Sequence, residues 1–382
     1  MLKIALVAGE ISGDLLGGAL VEALRARLPN AQFYGVTGPQ MEAAGCTSIA
    51  SIDTLSVMGL AEVLPALPRV LRLRRELLRR FSADRPDVVI GLDAPDFNLG
   101  LERRLRGQGI RTVHVVSPTV WAWRAGRTQT IDKAVDRILC LFPFEPAFYE
   151  QHGVHGKAVY IGHPLADQLD AETTPAMGRA ALGLPADGLT VAVLPGSRGS
   201  ELKYLAEPFA RAAALLAARR PGLRFVTPIA KASLRAGMEA AIATHAPGLD
   251  WTLVDGRSRD VMRAADAVLI ASGTATLECM LLGRPMVVSY RGSPITAWLL
   301  LSAGLLKTKY VSLPNLLADE PVVPEILQKQ ATPEALSDAV DALLAGGPAR
   351  IRQIEQFDRV RDRLRCDAAR QGAEAIAALL GA

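Results

Sequence analysis

The chain has 382 residues, 50% of them hydrophobic, which is enough for two domains with separate cores. Lys and Arg number 43 against 39 Asp and Glu, and a net charge of only +4 argues against nucleic acid as a partner. The four cysteines form no Cys-x-x-Cys pair and no cluster with histidine, so reduced thiols in a cytosol are expected and a metal site is not.

The N-terminal apolar run is short, from Ile4 to Ala8, and stops at Gly9-Glu10. It lacks the longer apolar region and cleavage site of a signal peptide, so we predict a strand there. No stretch approaches the roughly 18 charge-free apolar residues of a transmembrane helix. We therefore expect a protein that is soluble or rests on a membrane surface.

Short apolar runs followed by helical patterns recur through the first half of the chain. The runs are continuously apolar, as in strands buried on both faces of a parallel sheet. The predicted strands are Lys3–Gly9, Ala31–Thr37, Asp87–Asp93, Arg111–Ser117, Arg137–Phe142 and Ala158–Gly162. This alternation predicts a doubly wound α/β domain over residues 1–168.

The pattern pauses at residues 170–184, where Thr173-Thr174-Pro175 and Gly183 predict a linker. It then restarts with predicted strands Thr190–Leu194, Arg224–Ile229, Trp251–Val254, Ala267–Ala271 and Pro285–Tyr290. We predict a second α/β domain over 185–347 and an Arg-rich helical tail over 348–382. Open α/β sheets bind ligands at the carboxyl ends of their strands, so residues just after the strands are the candidate site residues.

Polar residues follow two strands of the first domain. After the first strand, the segment from Gly9 to Asp14 offers backbone N–H groups to an anion, or forms a turn capped by Ser12 or Asp14. Asp93 follows the third strand, which is where a general base that deprotonates a sugar hydroxyl is expected. Asp96 is expected to cap the next helix.

Two tryptophans and an arginine, Trp121, Trp123 and Arg124, follow the fourth strand. They suit stacking on a sugar or lining an acyl channel. Two core aromatic residues under a loop would give the same pattern, so both interpretations stay open.

The second domain carries two phosphate-binding candidates. Ser197, Arg198 and Glu201 follow its first strand, where small residues, a fixed cation and a helix start suit a diphosphate. A Ser-Gly-Thr turn at 272–274 opens another helix, and Glu278 one turn inside it can accept hydrogen bonds from a ribose. No Asp-x-Asp stands on a loop of this domain to carry a metal, so Arg198 and helix N-termini would meet the developing charge.

Residues 60–81 show apolar side chains three or four apart, and six arginines with one acid lie between Arg69 and Arg80. A basic amphipathic helix of this kind suits an anionic membrane surface, and Leu67, Arg69, Arg72, Arg75 and Arg79 are the predicted contacts. A core-facing helix with a solvated basic side is the alternative. Residues 295–306, with Trp298, are a second candidate for acyl contact or a buried helix.

Seven motifs together resemble those of the lipid-A-disaccharide synthase family, in order, over roughly residues 3 to 330. They are Gly9-Glu10-x-Ser12-Gly13-Asp14, Gly91-x-Asp93-Ala94-Pro95-Asp96-Phe97-Asn98, Ser117-Pro118-x-Val120-Trp121-Ala122-Trp123-Arg124, Gly162-His163-Pro164, Leu194-Pro195-Gly196-Ser197-Arg198-x-x-Glu201, Ser272-Gly273-Thr274-Ala275-Thr276-Leu277-Glu278 and Leu313-Pro314-Asn315-Leu316-Leu317. The serine-glycine-threonine element recurs in other UDP-sugar transferases, whereas the second and third motifs are more specific.

The resemblance implies a GT-B-type fold, with two Rossmann-like domains facing a central cleft and C-terminal helices crossing back to the first. It implies that UDP-2,3-diacylglucosamine is joined to 2,3-diacylglucosamine 1-phosphate (lipid X), giving the β-1,6 lipid A disaccharide 1-phosphate and UDP. The reaction would invert the anomeric centre without metal or cofactor. It belongs to lipopolysaccharide synthesis on the cytoplasmic face of a Gram-negative inner membrane. The helical tail could cross to the first domain of its own chain or to that of a partner, and the second arrangement would form a homodimer.

The resemblance also implies roles for single residues. Asp93 would take the proton of the acceptor 6-hydroxyl, with Glu10 nearby. The expected UDP-binding residues are Ser197, Arg198, Glu201, Ser272, Gly273, Thr274, Glu278 and Asn315. The expected acceptor or acyl contacts are Ser12, Asp14, Asp96, Asn98, Trp121, Trp123 and Arg124.

Two other functions remain alternatives on the sequence. A UDP-N-acetylglucosamine 2-epimerase shares the two-domain architecture but has no use for the tryptophans or the basic amphipathic helix. A non-catalytic nucleotide-sugar or lipid-binding protein would not need Asp93. A dehydrogenase is disfavoured because the glycine-rich dinucleotide turn is absent.

Overall fold

The computed structural model describes residues 1–55, 60–123, 125–169, 174–292 and 309–382, with the backbone alone for 60–66, 122, 123 and 125. These residues form two compact units, one of Met1–Asp167 with Leu364–Ala382 and the other of Gln168–Arg363. Each unit is built around one parallel sheet with helices on its faces. The predicted pair of Rossmann-like α/β domains is therefore confirmed.

The first sheet has seven parallel strands in the order β3-β2-β1-β4-β5-β6-β7. The strands are β1 Lys3–Ala8, β2 Gln32–Thr37, β3 Thr47–Ser51, β4 Val88–Leu92, β5 Arg111–Val115, β6 Arg137–Cys140 and β7 Ala158–Tyr160. β1 is central and pairs with β2 through Ile4↔Phe33 and with β4 through Ile4↔Val88. The strand order reverses between β1 and β4, and ligands of open α/β sheets bind beyond the strand ends at such a reversal.

The second sheet has six parallel strands in the order β10-β9-β8-β11-β12-β13. The strands are β8 Thr190–Leu194, β9 Arg224–Ile229, β10 Trp251–Asp255, β11 Ala267–Ala271, β12 Met286–Tyr290 and β13 Glu325–Leu327. Here the order reverses between β8 and β11, and the loops that follow them carry the two predicted phosphate-binding motifs.

Helices cover both sheets. They are α1 Ile11–Arg27, α2 Pro39–Ala43, α3 Leu60–Asp84, α4 Pro95–Arg106, α5 Val120–Trp123, α6 Thr128–Ala134, α7 Glu145–Gln151, α8 Pro164–Gln168, α9 Pro175–Leu182, α10 Gly199–Arg219, α11 Ala232–His245, α12 Ser258–Ala264, α13 Ala275–Leu281, α14 Leu313–Ala318, α15 Pro333–Leu344, α16 Pro348–Leu364 and α17 Ala368–Leu380. None of the helices in the described ranges is both long and apolar enough to cross a membrane.

The predicted linker at 170–184 contains a helix, α9, in its described part. Thr174 caps this helix by accepting a hydrogen bond from the Met177 N–H at 3.4 Å. Gly178 lies so close to Ala264 that a Cβ on it would be 2.3 Å from the Ala264 nitrogen. Thr-Pro is thus a helix start as much as a loop signal, and the linker prediction is wrong for Pro175–Leu182.

The tail divides between the two units, whereas we expected all of 348–382 on the first. Gln353 of α16 exchanges two hydrogen bonds with the Met286 backbone at the start of β12, which fixes α16 to the second unit. Ala373 and Ile376 of α17 are buried in the core of the first unit, beside α1. The crossing back therefore involves α17, and the boundary falls at Leu364.

Helix α3 presents its apolar residues to the core of the first unit. Leu73, Leu77 and Phe81 are buried at four-residue spacing, so this part matches the core-facing alternative. The predicted membrane contacts Arg69, Arg72, Arg75 and Arg79 are all exposed, as is Leu67. Residues 295–306, the second candidate for acyl contact, lie outside the described residues.

Candidate active site

A cavity of about 560 Å³ lies in the second unit where β8, β9, β10 and β11 end. It is lined by Leu194, Gly196, Ser197, Arg198, Glu201, Pro228, Ala230, Gly256, Arg257, Ser258, Ile270, Ala271, Ser272, Gly273, Thr274, Ala275 and Glu278. Of the eight residues predicted to bind UDP, the structure brings seven together here, and Asn315 is the exception.

The loop after β8 is held in shape by Glu201. Its Oε2 atom accepts hydrogen bonds from the N–H groups of Ser197 at 2.8 Å and Arg198 at 3.2 Å. A Cβ on Gly196 would lie 2.3 Å from that same oxygen, and the φ angle of Gly196 is +119°. The loop therefore needs glycine at 196, and Glu201 shapes it as well as lining the cavity.

Arg198 is the exposed cation of this loop. Its side chain is 77% exposed and its Nη1 lies 2.9 Å from Glu201 Oε1. An exposed ion pair of this kind contributes little to stability, so the guanidinium is free to turn towards an anion. A planar fork of N–H donors suits two phosphate oxygens at once.

The loop after β11 presents small groups to the cavity. Gly273 and Thr274 are exposed, and a Cβ on Gly273 would meet nothing within 4 Å. The Ser272 hydroxyl donates to the Val311 carbonyl at 3.3 Å. Glu278, inside α13, also lines the cavity, and its Oε2 lies 3.4 Å from Arg259 Nε. These positions match the predicted turn and its acid.

Sequence reasoning missed the residues that follow β10, namely Gly256, Arg257 and Ser258. Arg257 has a φ of +53° and donates to the Ala181 carbonyl at 2.8 Å and to Asp260 at 3.0 Å. Arg257 lines the cavity, and its guanidinium is held by these two acceptors. The rule that selects residues after strands applies to this strand too, and a Gly-Arg-Ser sequence there was the available signal.

Asn315 does not line this cavity, which corrects its predicted role. Its amide is 2% exposed and makes four hydrogen bonds, donating to Val323 O and Glu325 Oε1 and accepting from the N–H groups of Val322 and Val323. All its donors and acceptors are used, so none is left for a ligand. Glu325 also accepts from the Val311 N–H at 3.0 Å, which places Asn315 behind the segment that contacts Ser272.

In the first unit, Asp93 lies on a strained turn directly after β4. Asp93 and Ala94 have φ angles of 54° and 45°, in the left-handed region that non-glycine residues avoid. The Asp93 N–H donates to the Val115 carbonyl at 3.0 Å, and its side chain is half-buried. Within the described residues nothing donates a hydrogen bond to its carboxylate. Backbone strain of this kind concentrates at functional sites, so the turn is a candidate functional position.

The turn after β1 packs against the Asp93 turn. A Cβ on Gly9 would lie 2.4 Å from the Ala94 Cβ, so only glycine permits this approach. Glu10 and Ser12 follow it and are exposed, and the Glu10 side chain makes no capping hydrogen bond to α1. Two exposed polar side chains therefore stand at the same sheet edge as Asp93.

Asp14, predicted as an acceptor contact, has a structural role instead. It is 2% exposed and accepts hydrogen bonds from the N–H groups of Gly38, Gln40 and Met41, each at 3.0 Å. These are unpaired donors at the start of α2, which a carboxylate satisfies. A buried carboxylate with three such donors is not available to a substrate.

Asp96 does not cap α4, because Ala94 occupies the cap position. It lies in the first turn of the helix, is exposed, and pairs with Arg127 at 2.7 Å. It therefore remains at the surface as an acceptor-contact candidate.

Asn98, another predicted acceptor contact, points inward. It is 1% exposed, and its Nδ2 donates to the carbonyls of Asp93 at 2.8 Å and Val7 at 3.2 Å. Left-handed geometry costs roughly 1–2 kcal/mol for each non-glycine residue. Two hydrogen bonds contribute about 1 kcal/mol each, so Asn98 offsets a comparable amount of the strain in the Asp93 turn.

Trp121 belongs to an aromatic cluster at the ends of β5 and β6. Its ring lies edge-on to Phe144 at 5.2 Å and to Phe142 at 6.3 Å, and its Nε1 donates to Glu145 Oε1 at 3.1 Å. The ring is half-buried, so it keeps an accessible part. Burial raises the pKa of the Glu145 carboxyl to about 7. The Trp123 side chain and Arg124 lie outside the described residues.

Comparison with known proteins gives the family. A family-level sequence profile described as lipid-A-disaccharide synthetase matches residues 4–379. A lipid-A-disaccharide synthase from Pseudomonas aeruginosa (strain UCBPP-PA14) is 52% identical, covering 99% of this chain and 98% of the relative. One from Photobacterium profundum is 46% identical, with the same coverage of both chains.

Solved structures confirm the fold at low sequence identity. A UDP-GlcNAc 2-epimerase from Neisseria meningitidis, bound to UDP-GlcNAc, has a TM-score of 0.63 at 12% identity and covers 99% of both chains. A sucrose-phosphate synthase from Thermosynechococcus elongatus has a TM-score of 0.61 at 15% identity and covers 100% of both chains. Both epimerases and transferases share this architecture, so the fold alone does not choose between them.

The sequence relatives distinguish the two functions, because they match along 99% of the chain at 52% and 46% identity. These relatives favour a glycosyltransferase of lipid A biosynthesis over the epimerase and over the non-catalytic binding protein. The chain belongs to the lipid-A-disaccharide synthetase family.

Proposed function

We propose that this chain transfers 2,3-diacylglucosamine from UDP to the 6-hydroxyl of lipid X, giving the β-1,6 disaccharide 1-phosphate and UDP. Family membership carries the glycosyltransferase role, and the substrates and the mechanism are the proposed part. The observation that supports the mechanism best is the Asp93 carboxylate, which accepts no hydrogen bond from the described residues. It stands on a strained turn at the strand-order reversal of the first sheet.

The donor would bind in the second unit. Its diphosphate would meet the Arg198 guanidinium, Ser197 and Thr274, while Glu278 would accept hydrogen bonds from the ribose. As the bond between the sugar and UDP breaks, negative charge grows on the diphosphate. Fixed donors at that position stabilise the transition state more than the ground state.

The acceptor would be activated by Asp93. The carboxylate takes the proton of the 6-hydroxyl while that oxygen forms a bond to the anomeric carbon and UDP leaves from the opposite face. A single displacement of this kind inverts the anomeric centre. Exposed Glu10 and Ser12, together with the Trp121 ring, would orient the acceptor sugar.

The lipid substrates reach the enzyme from a membrane. We propose that α3 rests on the cytoplasmic face of the inner membrane through the exposed side that carries Arg69, Arg72, Arg75 and Arg79, with Leu67 at its N-terminal part. Since Leu73, Leu77 and Phe81 are buried, the attraction to the membrane would be chiefly electrostatic along this part of α3.

An exchange of α17 between two copies would give the proposed homodimer. The elution volume of the purified protein in size-exclusion chromatography tests whether it is a dimer.

The base assignment is tested with Asp93→Asn. This change keeps the shape of the side chain but removes the basic oxygen, so kcat should fall by about 10²–10⁴-fold. The affinity for UDP, measured by titration calorimetry, should stay unchanged because the proposed donor cavity belongs to the other unit. Wild-type turnover in Asp93→Asn would reject Asp93 as the base.

A further inference from the structure

A buried ionisable pair lies beneath the Asp93 turn and takes no part in the mechanism above. His114 Nδ1 and Glu102 Oε1 are 2.9 Å apart, and the two side chains are 0% and 1% exposed. Two acceptors would repel at this distance, so a proton lies between them. Replacing a buried pair of this kind by apolar residues is often neutral or stabilising, so stability alone gives no reason to keep it.

The pair shares its space with Asn98. Glu102 follows Asn98 by four residues on α4, so the two side chains lie on one face of the helix. A Cβ on Gly91 would lie 2.1 Å from Glu102 Oε1 and 3.0 Å from Asn98 Cγ. Both groups therefore occupy the room that the missing side chain of Gly91 leaves next to the end of β4.

The cluster is arranged at a cost in hydrogen bonding. Asn98 Oδ1, Glu102 Oε2 and His114 Nε2 are buried, and none has a hydrogen-bonding partner in the part of the chain that the structure describes. Unsatisfied buried polar atoms are rare in folded proteins. Three of these atoms lie in one cluster directly behind the strained turn.

We propose that Asn98 is a positioning residue for Asp93 and that the Glu102–His114 pair holds the Asn98 amide in its orientation. This inference rests on the proposed role of Asp93 as the base. Both Asn98 N–H groups are directed at carbonyls, of Asp93 after β4 and of Val7 in β1. A flipped amide would direct Oδ1 at those carbonyls and repel them, and the Glu102 carboxylate lies beside Asn98 in the space next to Gly91.

A double-mutant cycle tests the first half of the proposal. Asn98→Ala in the wild-type background should lower kcat about 10- to 100-fold, because a misplaced reacting group costs that much, while the KM for the UDP-sugar stays unchanged. In the Asp93→Asn background the same substitution should cause almost no further loss, because its effect acts through Asp93.

Gln353→Ala is the matched control. Gln353 is also a buried amide with two backbone hydrogen bonds, but it belongs to the second unit. Its loss should lower the melting temperature about as much as Asn98→Ala does and leave kcat unchanged.

The Glu102→Leu, His114→Leu double variant tests the second half. It should melt no lower than the wild type, since an apolar pair replaces the buried ionisable one, yet its kcat should fall about tenfold. A wild-type kcat in this variant would overturn the role of the pair.

The outcomes separate the two proposals. Equal losses from Asn98→Ala in both backgrounds, or wild-type kcat in Asn98→Ala alongside an inactive Asp93→Asn, would overturn the positioning role and leave the base assignment intact. Full activity in Asp93→Asn would instead reject the base, and the positioning role with it.

Discussion

Three carboxylates near strand ends of the first unit have three different environments. Asp14 is buried under three backbone N–H groups, Asp93 is half-buried with no described donor, and Glu145 is buried beside Trp121. The first therefore supports the fold, the second is available for proton transfer, and the third fixes an aromatic ring. Hydrogen-bonding partners, rather than residue type or spacing, decide which carboxylate can do chemistry.

The Glu145 carboxyl makes stability depend on pH. Its folded pKa is raised from 4.5 to about 7, so the folded state holds this proton more tightly than the unfolded state. The stability contributed by the protonated form is complete below pH 4.5 and is lost as the pH rises through about 7.

Glu145→Gln removes this titration. The free energy of unfolding of the variant, relative to the wild type, should rise between pH 5 and 8 by up to about 3 kcal/mol, since each pKa unit corresponds to about 1.4 kcal/mol. Urea unfolding at several pH values measures the difference. A difference that stays constant across this range would contradict the buried titration.

The sequence patterns predicted most of the strands, and the strands that they missed show the limits of such patterns. Continuous apolar runs predicted eleven strands that the structure contains, but β3 and β13 were missed. β3 is a half-exposed edge strand with the sequence Thr-Ser-Ile-Ala-Ser, and β13 has only three residues, so neither produces a long apolar run. The motifs also selected Asn98 and Asn315 as ligand contacts, but a sequence pattern could not show that both amides are buried.

Helix α3 carries the membrane prediction. Arg72, Arg75 and Arg79→Glu should abolish sedimentation with vesicles that contain anionic phospholipid, because three exposed positive charges become negative. High salt should weaken the binding of the wild type, as expected for an exposed charged surface.

The matched control changes Arg211, Arg219 and Arg352 to Glu, three exposed arginines of the second unit with the same change in charge. This variant should sediment like the wild type. Unchanged sedimentation of the α3 variant would show that this surface does not bind the membrane.

At the scale of the molecule, the same sheet topology occurs twice. Each unit has a parallel sheet whose strand order reverses once, between β1 and β4 and between β8 and β11. The first reversal carries Asp93, and the second carries Arg198 with the Ser272–Thr274 turn. A transferase needs a base for its acceptor and a charged site for its leaving group, and in the proposed mechanism each unit supplies one of them.

The measurement that tests the account most directly is product formation from the two lipid substrates. Purified protein is incubated with UDP-2,3-diacylglucosamine and lipid X in detergent with EDTA, and the products are read by mass spectrometry. We predict the disaccharide 1-phosphate and UDP in equal amounts, at the same rate with and without EDTA. Failure to form the disaccharide would contradict the proposed substrates, and disaccharide formation that EDTA abolishes would contradict the metal-independent mechanism.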